Sequence, residues 1–352
     1  MEHDTGDAFQ EAERIGVEVS RRTALATAAK LGVGGAALAA LGAGDITSAS
    51  AATRDGKLSA KGYRFVLVNH VTTNPFFTPT RTGAQDACDL LGCTYQWAGS
   101  QNSIVSEMVT AVQTAIAQRV DGIGVALIDR NAFNAVARSA MGDGIPVVSY
   151  NADVPTADRL AYIGQDLFLS GQAMGQRIAQ HVPSGSHIGL FIATPGSLNI
   201  QPRIDGAIAA IKASGKNITF DQIATGAATP GERSAVESYY LGHKSVKGLF
   251  AVDGGSTGGV ALTSKKYGLQ THGVYTGGFD LLPETIQGIS GGTMGFTIDQ
   301  QPYLQGFLPI LQLAIYKISG GLISPSNTNT GLKFVTKANV KPYLKSSKFE
   351  GS

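Results

Sequence analysis

Short apolar runs alternate with helix-like stretches along most of this chain, and the pattern starts again near its middle. In the first half we predict strands at 65–69, 94–97, 122–128 and 145–150, with helices at 82–91, 104–119 and 132–141 between them. In the first of these helices, Ala84, Ala87 and Leu91 recur at helical spacing, and Gly92 follows as a terminator. Strands that alternate with helices of this length indicate a parallel, doubly wound α/β sheet.

The second half repeats this alternation after Asp158. Its predicted strands are 161–164, 187–192, 218–224, 248–252, 273–279 and 293–298. Two similar α/β halves predict two Rossmann-like, doubly wound lobes with a cleft between them. In such sheets a ligand binds beyond the carboxyl ends of the strands, so the residues that follow each strand form the candidate site.

The residues that follow the predicted strands are mostly amides, carboxylates and aromatics. They are His70, Asn74, Phe76, Phe77, Gln101, Asn151, Arg203, Asp253, Phe279, Asp280 and Gln300. A hydroxyl group both donates and accepts hydrogen bonds, so bidentate Asn, Asp and Arg side chains suit vicinal diols. An aromatic face covers the C–H side of a sugar. The set therefore predicts a neutral, polyhydroxylated ligand.

Several of these residues also have a structural interpretation. Phe76 and Phe77 could be core aromatics at a strand end, and Arg203 could be a solvated residue at a helix start. Asp280 could cap the following helix. Asp166, which follows the strand at 161–164, is interpreted as a cap or hinge residue rather than a ligand-binding one.

The first fifty residues predict an export address rather than a part of the fold. A polar, mostly acidic start gives way at Ser20-Arg21-Arg22 to a stretch rich in Ala and Gly, which ends in Ala49-Ser50-Ala51. This order describes a secretion signal, and the paired arginines favour the twin-arginine route. We therefore predict that 1–51 is an export signal and that the protein works in the periplasm or cell envelope. A membrane anchor or an internal helix is the alternative.

Composition excludes several function classes. The 28 Lys and Arg against 26 Asp and Glu leave a net charge of +2, without the basic excess of a nucleic-acid binder. The two cysteines, Cys88 and Cys93, cannot form a disulfide scaffold; we interpret them as buried apolar residues, with a bridge between them as the alternative. The six histidines show no pair at metal spacing, and no phosphate-binding G-x-x-x-x-G-K-[ST] loop is present. We expect no cofactor, no metal and no nucleic acid.

One motif suggests an enzyme. The run Gly254-Gly255-Ser256-Thr257-Gly258 follows a predicted strand and matches the G-x-S-x-G turn of serine hydrolases. That fold needs an acid and then a histidine later in the chain, but only His272 follows Ser256 and no Asp or Glu lies between them. A hydrolase that uses Ser256 is therefore the alternative function, and a Gly-rich turn at a helix start is the structural interpretation. A repressor of related core fold would need an N-terminal helix-turn-helix where this chain has its export signal.

Six short motifs carry a family resemblance. They are Asn74-Pro75-Phe76-Phe77, Gly144-Ile145-Pro146-Val147-Val148 leading to Asn151, Arg203-Ile204-Asp205-Gly206, Phe250-Ala251-Val252-Asp253, Gly277-Gly278-Phe279-Asp280 and Thr297-Ile298-Asp299-Gln300. In this order the chain resembles the ribose-type sugar-binding proteins of ABC importers, which have the type I periplasmic binding protein fold. The resemblance extends over about 61–343, nearly all of the chain after the export signal.

The resemblance implies a non-enzymatic receptor that closes on a small sugar or polyol and delivers it to an ABC permease with its ATPase subunit. Phe76 and Phe77 would cover one face of the ligand. Hydrogen bonds would come from Asn74, Asn151, Arg203, Asp253, Asp280 and Gln300. The resemblance also implies a three-stranded hinge and a monomer.

Two departures from the family pattern bear on the ligand. His70 stands where a Ser is usual, and Ala152 follows Asn151 where ribose binders have Arg after Asp. The loss of that Asp-Arg pair favours a different pentose, a pentitol or a tetritol over ribose itself. We predict an N-terminal lobe of 60–165 plus 301–329 and a C-terminal lobe of 166–300 plus 330–345.

Overall fold

The computed structural model describes residues 58–345. The predicted export signal at 1–51 lies outside these residues. The described chain builds two six-stranded sheets with helices packed against them, which is the two-lobed α/β fold predicted from the alternation. Across 58–345, no helix has the length and apolar character that a membrane crossing requires.

The first lobe contains the strands that come first along the chain and one late strand. The strands are β1 (Arg64–Asn69), β2 (Thr94–Gly99), β3 (Gly122–Val125), β4 (Val147–Tyr150), β5 (Ala161–Gly164) and β11 (Thr328–Asn329). The helices are α1 (Thr78–Leu91), α2 (Val105–Ala117), α3 (Asn134–Gly142) and α9 (Leu304–Ile318), and a short 3₁₀ helix covers Pro75–Phe77. The strand order is β11-β5-β4-β3-β1-β2, and every pair is parallel. The order therefore reverses between β1 and β3.

The second lobe repeats this topology. Its strands are β6 (His187–Ile192), β7 (Thr219–Ala224), β8 (Gly248–Ala251), β9 (Tyr275–Phe279), β10 (Phe296–Asp299) and β12 (Lys333–Val335). Its helices are α4 (Leu167–His181), α5 (Gln201–Ala213), α6 (Thr229–Gly242), α7 (Gly254–Tyr267) and α8 (Pro283–Ser290), with 3₁₀ turns at Leu269–His272 and Lys341–Leu344. The order β12-β10-β9-β8-β6-β7 is parallel except for β12, so the reversal lies between β6 and β8. A ligand crevice is expected at each reversal.

Each lobe contains one helix pair that crosses with backbone nearly touching backbone. In the first lobe, a Cβ on Gly83 of α1 would overlap the Tyr303 carbonyl, and one on Gly306 of α9 would overlap the Thr80 carbonyl. In the second lobe, a Cβ on Gly171 of α4 would overlap the carbonyl of Arg203 on α5. Only glycine permits these crossings, and the second one brings α4 against the backbone of α5 at Arg203.

Three chain segments cross between the lobes, between β5 and α4, β10 and α9, and β11 and β12. Their amide side chains bond the crossovers to one another. Gln165 Nε2 donates to the Gly331 carbonyl at 2.8 Å, and Gln305 Nε2 and Thr330 Oγ1 donate to the Gln300 carbonyl at 3.0 and 2.8 Å. This is the hinge that the resemblance implies.

Most predicted elements are present, and the differences lie at their ends. The strands predicted at 161–164 and 187–192 have these bounds, whereas 122–128 is a strand only to Val125 and 293–298 becomes Phe296–Asp299. In the first case the apolar run continues as buried loop, so hydrophobicity alone overestimates the strand. Cys88 and Cys93 are buried free thiols in the core of the first lobe.

Candidate functional site

A cavity lies between the two lobes, at the carboxyl ends of their strands. It lies beside both strand-order reversals, with His70 after β1 and Asp253 after β8. All predicted site residues except Gln101 and Phe279 line it, namely His70, Asn74, Phe76, Phe77, Asn151, Arg203, Asp253, Asp280 and Gln300. Lining residues that were not predicted include Ser103, Thr194, Asn199, Glu232 and Gly255. The topology thus brings together side chains that are far apart in sequence.

The loop after β1 supplies the aromatic wall. The Asn74 side chain accepts a hydrogen bond from the Phe76 backbone N–H at 3.0 Å, and Pro75 opens the 3₁₀ turn that follows. Phe76 and Phe77 meet edge to face at 4.7 Å. Phe77 is only 2% exposed and packs against His70 and Trp97, whereas Phe76 is half-buried. Phe76 is therefore the ring available to a guest, and Phe77 is mainly the core support behind it.

His70 bonds across the cleft to the second lobe. Asn199 Nδ2 donates to His70 Nε2 at 2.9 Å, and the Ser197 hydroxyl donates to Asn199 Oδ1 at 2.6 Å. Burial lowers the pKa of His70 to about 4, so the imidazole is neutral at ordinary pH. Because Nε2 accepts in this arrangement, Nδ1 carries the proton, and Nδ1 is buried without a partner.

Asn151 follows β4 in a left-handed backbone conformation, with φ of 62°. Its Nδ2 donates to Gln305 Oε1 at 3.1 Å, and its Oδ1 is buried without a partner. Ser103 and Asp280, with φ of 61° and 73°, are two more non-glycine residues in this conformation that line the cavity. Such conformations cost energy and concentrate at functional sites.

Arg203 lies in the first turn of α5 and is 2% exposed, so the interpretation as a solvated helix-start residue is wrong. Its guanidinium donates to the Val252 carbonyl at 2.9 Å and to Gln165 Oε1 at 3.1 Å. It also lies 4.2 Å from the centre of the Phe279 ring. The Phe279 ring therefore packs against the guanidinium and does not line the cavity. Burial lowers the pKa of Arg203, and the carboxylates of Asp280 and Asp253 oppose that shift.

Asp253 joins two strand ends in the second lobe. It is the N-cap of α7, where Oδ1 accepts from the Ser256 N–H at 2.9 Å. Its Oδ2 accepts from the Ala193 N–H, directly after β6, also at 2.9 Å. These bonds hold the carboxylate at the edge of the cavity with remaining lone pairs free to accept.

Asp280 follows β9 and does not cap a helix, because α8 begins only at Pro283 with Leu282 at the cap position. Instead its Oδ1 accepts from Gln300 Nε2 at 2.6 Å. Burial raises the pKa of Asp280 to about 7, against the opposing effects of Arg203 and Gln300. Asp166, by contrast, does cap α4, since its Oδ1 accepts from the Leu169 N–H at 2.9 Å.

Glu232 is the one carboxylic acid among the described lining residues that the sequence analysis did not predict. It lies in the first turn of α6, where acidic residues commonly stand on the surface, but here it is 1% exposed. Burial raises its pKa to about 9, and the neighbouring Asp253 carboxylate adds to the shift. No local sequence signal marks it, because the cavity wall it meets comes from Gly255 on another helix.

Gln101 is exposed and does not reach the cavity. The reason lies in Ser100, whose hydroxyl accepts from the N–H groups of Asn102 and Ile104 at 3.1 and 3.0 Å and donates to Glu107 Oε2 at 2.6 Å. This turn directs Gln101 outward, so the prediction of Gln101 as a lining residue is not supported by the geometry.

Ser256 does not have the hydrogen bond to a histidine that a serine hydrolase needs. The residue is fully buried, and its hydroxyl shares a hydrogen bond of 2.7 Å with Thr225 rather than with a histidine. Among residues 58–345 no group of three or more His, Cys, Asp or Glu is placed to hold a metal ion.

Buried polar atoms without partners collect around this cavity. In the described part of the chain they include His70 Nδ1, Asn151 Oδ1, Arg203 Nε and Glu232 Oε2, each from a lining residue. A buried polar atom without a hydrogen bond is costly, so these four atoms make the cavity a candidate site for a polar guest. His70 Nδ1 and Arg203 Nε are hydrogen-bond donors. Asn151 Oδ1 and Glu232 Oε2 are oxygens of an amide and of a carboxyl group. A guest with several hydroxyls can satisfy both kinds.

Comparison with known proteins agrees with the resemblance to ribose-type sugar-binding proteins described above. Residues 65–320 match the periplasmic binding protein domain. The chain is 47% identical to the xylose/arabinose-binding protein XylF of Sulfolobus acidocaldarius, over 95% of this chain and 90% of that one. It is 27% identical to the ribose import binding protein RbsB of Salmonella typhimurium, over 67% of this chain and 78% of that one.

Solved structures agree in fold. An ABC transporter solute-binding protein from Burkholderia graminis, in complex with D-arabinose, superposes with a TM-score of 0.75 and 27% identity, over 82% of this chain and 99% of that one. The family consists of solute-binding proteins, not enzymes, and its type I fold is the one described above. The chain therefore belongs to the periplasmic binding protein family, among the ribose-type, ABC-transporter sugar-binding proteins.

Proposed function

We propose that this protein is the extracytoplasmic receptor of an ABC importer and that it binds a small sugar in the cavity between its lobes. One observation carries the proposal. Partnerless buried donors and acceptors from both lobes face one cavity, beside the exposed part of the Phe76 ring. That combination matches a guest with hydroxyl groups on its edge and C–H groups on its face.

The ligand class that we propose is an aldopentose, xylose or arabinose, with pentitols and tetritols as the competing guests. Ala152 is fully buried in the core of the first lobe, so this position offers no charged contact to a ring hydroxyl. The names of the xylose/arabinose-binding relative and of the arabinose-bound solved structure support a five-carbon aldose.

The binding residues that we propose are those that line the cavity, with Phe279 acting through Arg203 and without Gln101. Phe76 covers the ligand face. Arg203 and His70 donate hydrogen bonds to the ligand, and Asp253 and Asp280 accept them. The amide side chains of Asn74, Asn151 and Gln300 also line the cavity. Phe77 contributes chiefly by holding Phe76 and His70 in place.

Closure of the lobes completes the site. The Leu198 N–H donates to the Ile128 carbonyl at 2.9 Å, and Asn199 donates to His70, so the loop before α5 binds the first lobe directly. A ligand that touches both walls interacts with both only when the lobes are closed, and it therefore shifts the population toward closure. We propose lobe boundaries of 60–165 plus 301–329 and 166–300 plus 330–345, a division supported by the place of β11 in the first sheet and of β12 in the second.

The location and partners follow from the same role. We infer export through the twin-arginine signal at 1–51, action in the periplasm or cell envelope as a monomer, and delivery of the sugar to an ABC permease and its ATPase subunit. Nucleic acid has no part in this function, and no cofactor is needed.

A thermal-shift screen of pentoses, hexoses and alditols tests the proposal. A ligand present at 100 times its dissociation constant stabilises the native state by about 2.7 kcal/mol. We expect D-xylose or an arabinose to raise the melting temperature most. Asp253→Asn should abolish most of the shift, and Gln101→Ala, on an exposed residue outside the cavity, should leave it unchanged. A screen without any pentose-dependent shift contradicts the proposal, and ester hydrolysis that Ser256→Ala abolishes would favour the hydrolase instead.

A further inference from the structure

Glu232 reaches the sugar cavity from a helix that the predicted site does not include. Its carboxyl rests on the backbone at the start of α7, in the space that a side chain on Gly255 would occupy, since a Cβ there would overlap it. The residue lines the cavity, and its Oε2 is buried without a hydrogen-bond partner. The glycines of the Gly254–Gly255 turn thus make room for a carboxyl group.

Burial raises the pKa of this carboxyl to about 9, and the neighbouring Asp253 adds to the shift. Asp253 lies beside it, and both Asp253 oxygens already act as acceptors, from the Ala193 and Ser256 N–H groups. Two adjacent buried carboxyls do not both ionise, so the proton resides on Glu232.

The other charged groups around the pair leave this assignment in place. On α6 itself, Arg233 forms an ion pair with Glu284 at the start of α8. Arg203 and Asp280 also line the cavity, and Asp253 contributes to raising the pKa of each. Thr229, on the same turn of α6, is an uncharged polar neighbour, and its hydrogen bond and the Arg233 charge oppose the raised pKa of Glu232 without cancelling it.

We propose that Glu232 is a ligand-binding residue, and that Glu232 and Asp253 form an acid–carboxylate pair that receives neighbouring hydroxyls of the pentose. This inference rests on the proposed function. One member of the pair brings a proton and the other only lone pairs, so together they complement a vicinal diol, whose hydroxyls both donate and accept. The pair itself carries a single negative charge, which suits a neutral guest.

A purely structural role makes a different prediction. If Glu232 only packs against the start of α7, its removal changes stability but leaves the pH dependence of sugar binding as it was. If it binds the sugar as an acid, affinity depends on its proton. Glu232 is fully protonated well below its pKa of about 9 and loses its proton as pH rises through that value.

The test is calorimetric titration of the full chain with D-xylose and L-arabinose, from one pH unit below to one unit above this pKa. We expect the dissociation constant of the wild-type chain to rise about five-fold across the upper unit and about ten-fold over the whole range. Glu232→Gln, which keeps an N–H donor and cannot ionise, should bind with a flat profile. Glu237→Gln, on the outer face of the same helix and bonded to Lys266 and Tyr267, should follow the wild-type profile.

A second measurement needs only the wild-type chain. Near the pKa, binding should take up a proton, which appears as a difference in heat between buffers of unequal ionisation enthalpy. Absence of proton uptake, or an unchanged pH profile and affinity in Glu232→Gln while wild type binds pentose, overturns this inference alone. Absence of pentose binding by the wild-type chain overturns the proposed function and this inference with it.

Discussion

The two lobes share one topology but present different chemistry to the cavity between them. The first lobe contributes a neutral imidazole, amides and an aromatic ring, from His70, Asn74, Asn151 and Phe76. The second contributes Arg203 and the carboxyl groups of Glu232, Asp253 and Asp280. The same fold thus carries a neutral wall on one side and a charged wall on the other.

This difference shows where the site is organised before a ligand arrives. The charged groups of the second lobe are held by protein hydrogen bonds, as in Arg203 with the Val252 carbonyl and Asp253 with the Ala193 N–H. Such fixed charges need little rearrangement when a guest binds. The first lobe brings an apolar face, whose closure excludes water from these charges and strengthens their hydrogen bonds. The comparison predicts separate effects for changes in each wall.

The largest effect is expected in the first lobe, where neighbouring phenylalanines have different roles. Phe77→Ala removes a ring that is 2% exposed and should lower the free energy of unfolding by about 4 kcal/mol. Phe76→Ala should cost less than about 1.5 kcal/mol of stability but weaken sugar binding, because its ring is half-buried at the cavity. Urea unfolding and calorimetry measure the two quantities. Equal losses of stability would show that both rings are core.

In the second lobe, Arg203→Met should destabilise the protein by about 3 kcal/mol, because it leaves the buried carboxyls of Asp253 and Asp280 without a positive neighbour. The matched control is Arg130→Met, on an exposed residue after β3, which should change stability by no more than about 0.5 kcal/mol. Urea unfolding of both variants provides the measurement. Similar midpoints for the two would mean that the charge of Arg203 is unimportant to the lobe.

Asp253→Asn should weaken pentose binding by about 2 kcal/mol, which is roughly thirty-fold in the dissociation constant. The amide keeps an oxygen for the Ser256 N–H, so the cap of α7 is largely retained. Calorimetric titration measures the affinity, and the melting temperature of the ligand-free variant checks the fold. If the variant binds as tightly as wild type, Asp253 is a structural cap and not a binding residue.

The pH effects are the smallest when taken per pH unit, and the two walls should respond in opposite directions. The pKa of His70 is lowered from 6.5 to about 4, so its contribution to stability is lost as pH falls between these values. The pKa of Asp280 is raised from 3.8 to about 7, so its contribution is present at low pH and is lost as pH rises toward 7. Each slope is at most about 1.4 kcal/mol per pH unit.

The variants His70→Asn and Asp280→Asn separate these slopes. Relative to wild type, His70→Asn should lose less stability on acidification from neutral pH, and Asp280→Asn should lose less on going from pH 4 to 7. Urea unfolding at a series of pH values gives both profiles. Slopes equal to those of wild type would show that neither group has a shifted pKa in the native state.

The alternation of strands and helices was sufficient to predict the fold and most of the cavity wall. In a parallel sheet the carboxyl ends of all strands lie at one edge, so residues such as Asn151 and Asp253 could be identified from their position after a strand. Gln101 failed this rule because the Ser100 hydroxyl turns its loop outward. A position after a strand fixes the edge of the sheet but not the direction of a side chain.

Glu232 could not be predicted because its environment depends on long-range packing. In sequence it is an acidic residue in the first turn of a helix, a common surface position. It becomes part of the cavity only because Gly255, on the next helix, leaves space for its carboxyl. Likewise, the His70–Asn199 bond joins residues of different lobes and has no local signal.

A crystal structure of the protein grown with D-xylose tests the two-walled site most directly. We expect one pentose between the lobes, with the Phe76 ring against its C–H face and oxygens of Asp253 and a nitrogen of Arg203 within hydrogen-bond distance of its hydroxyls. If a crystal grown with saturating D-xylose holds the sugar elsewhere, or in contact with only one lobe, the account is contradicted.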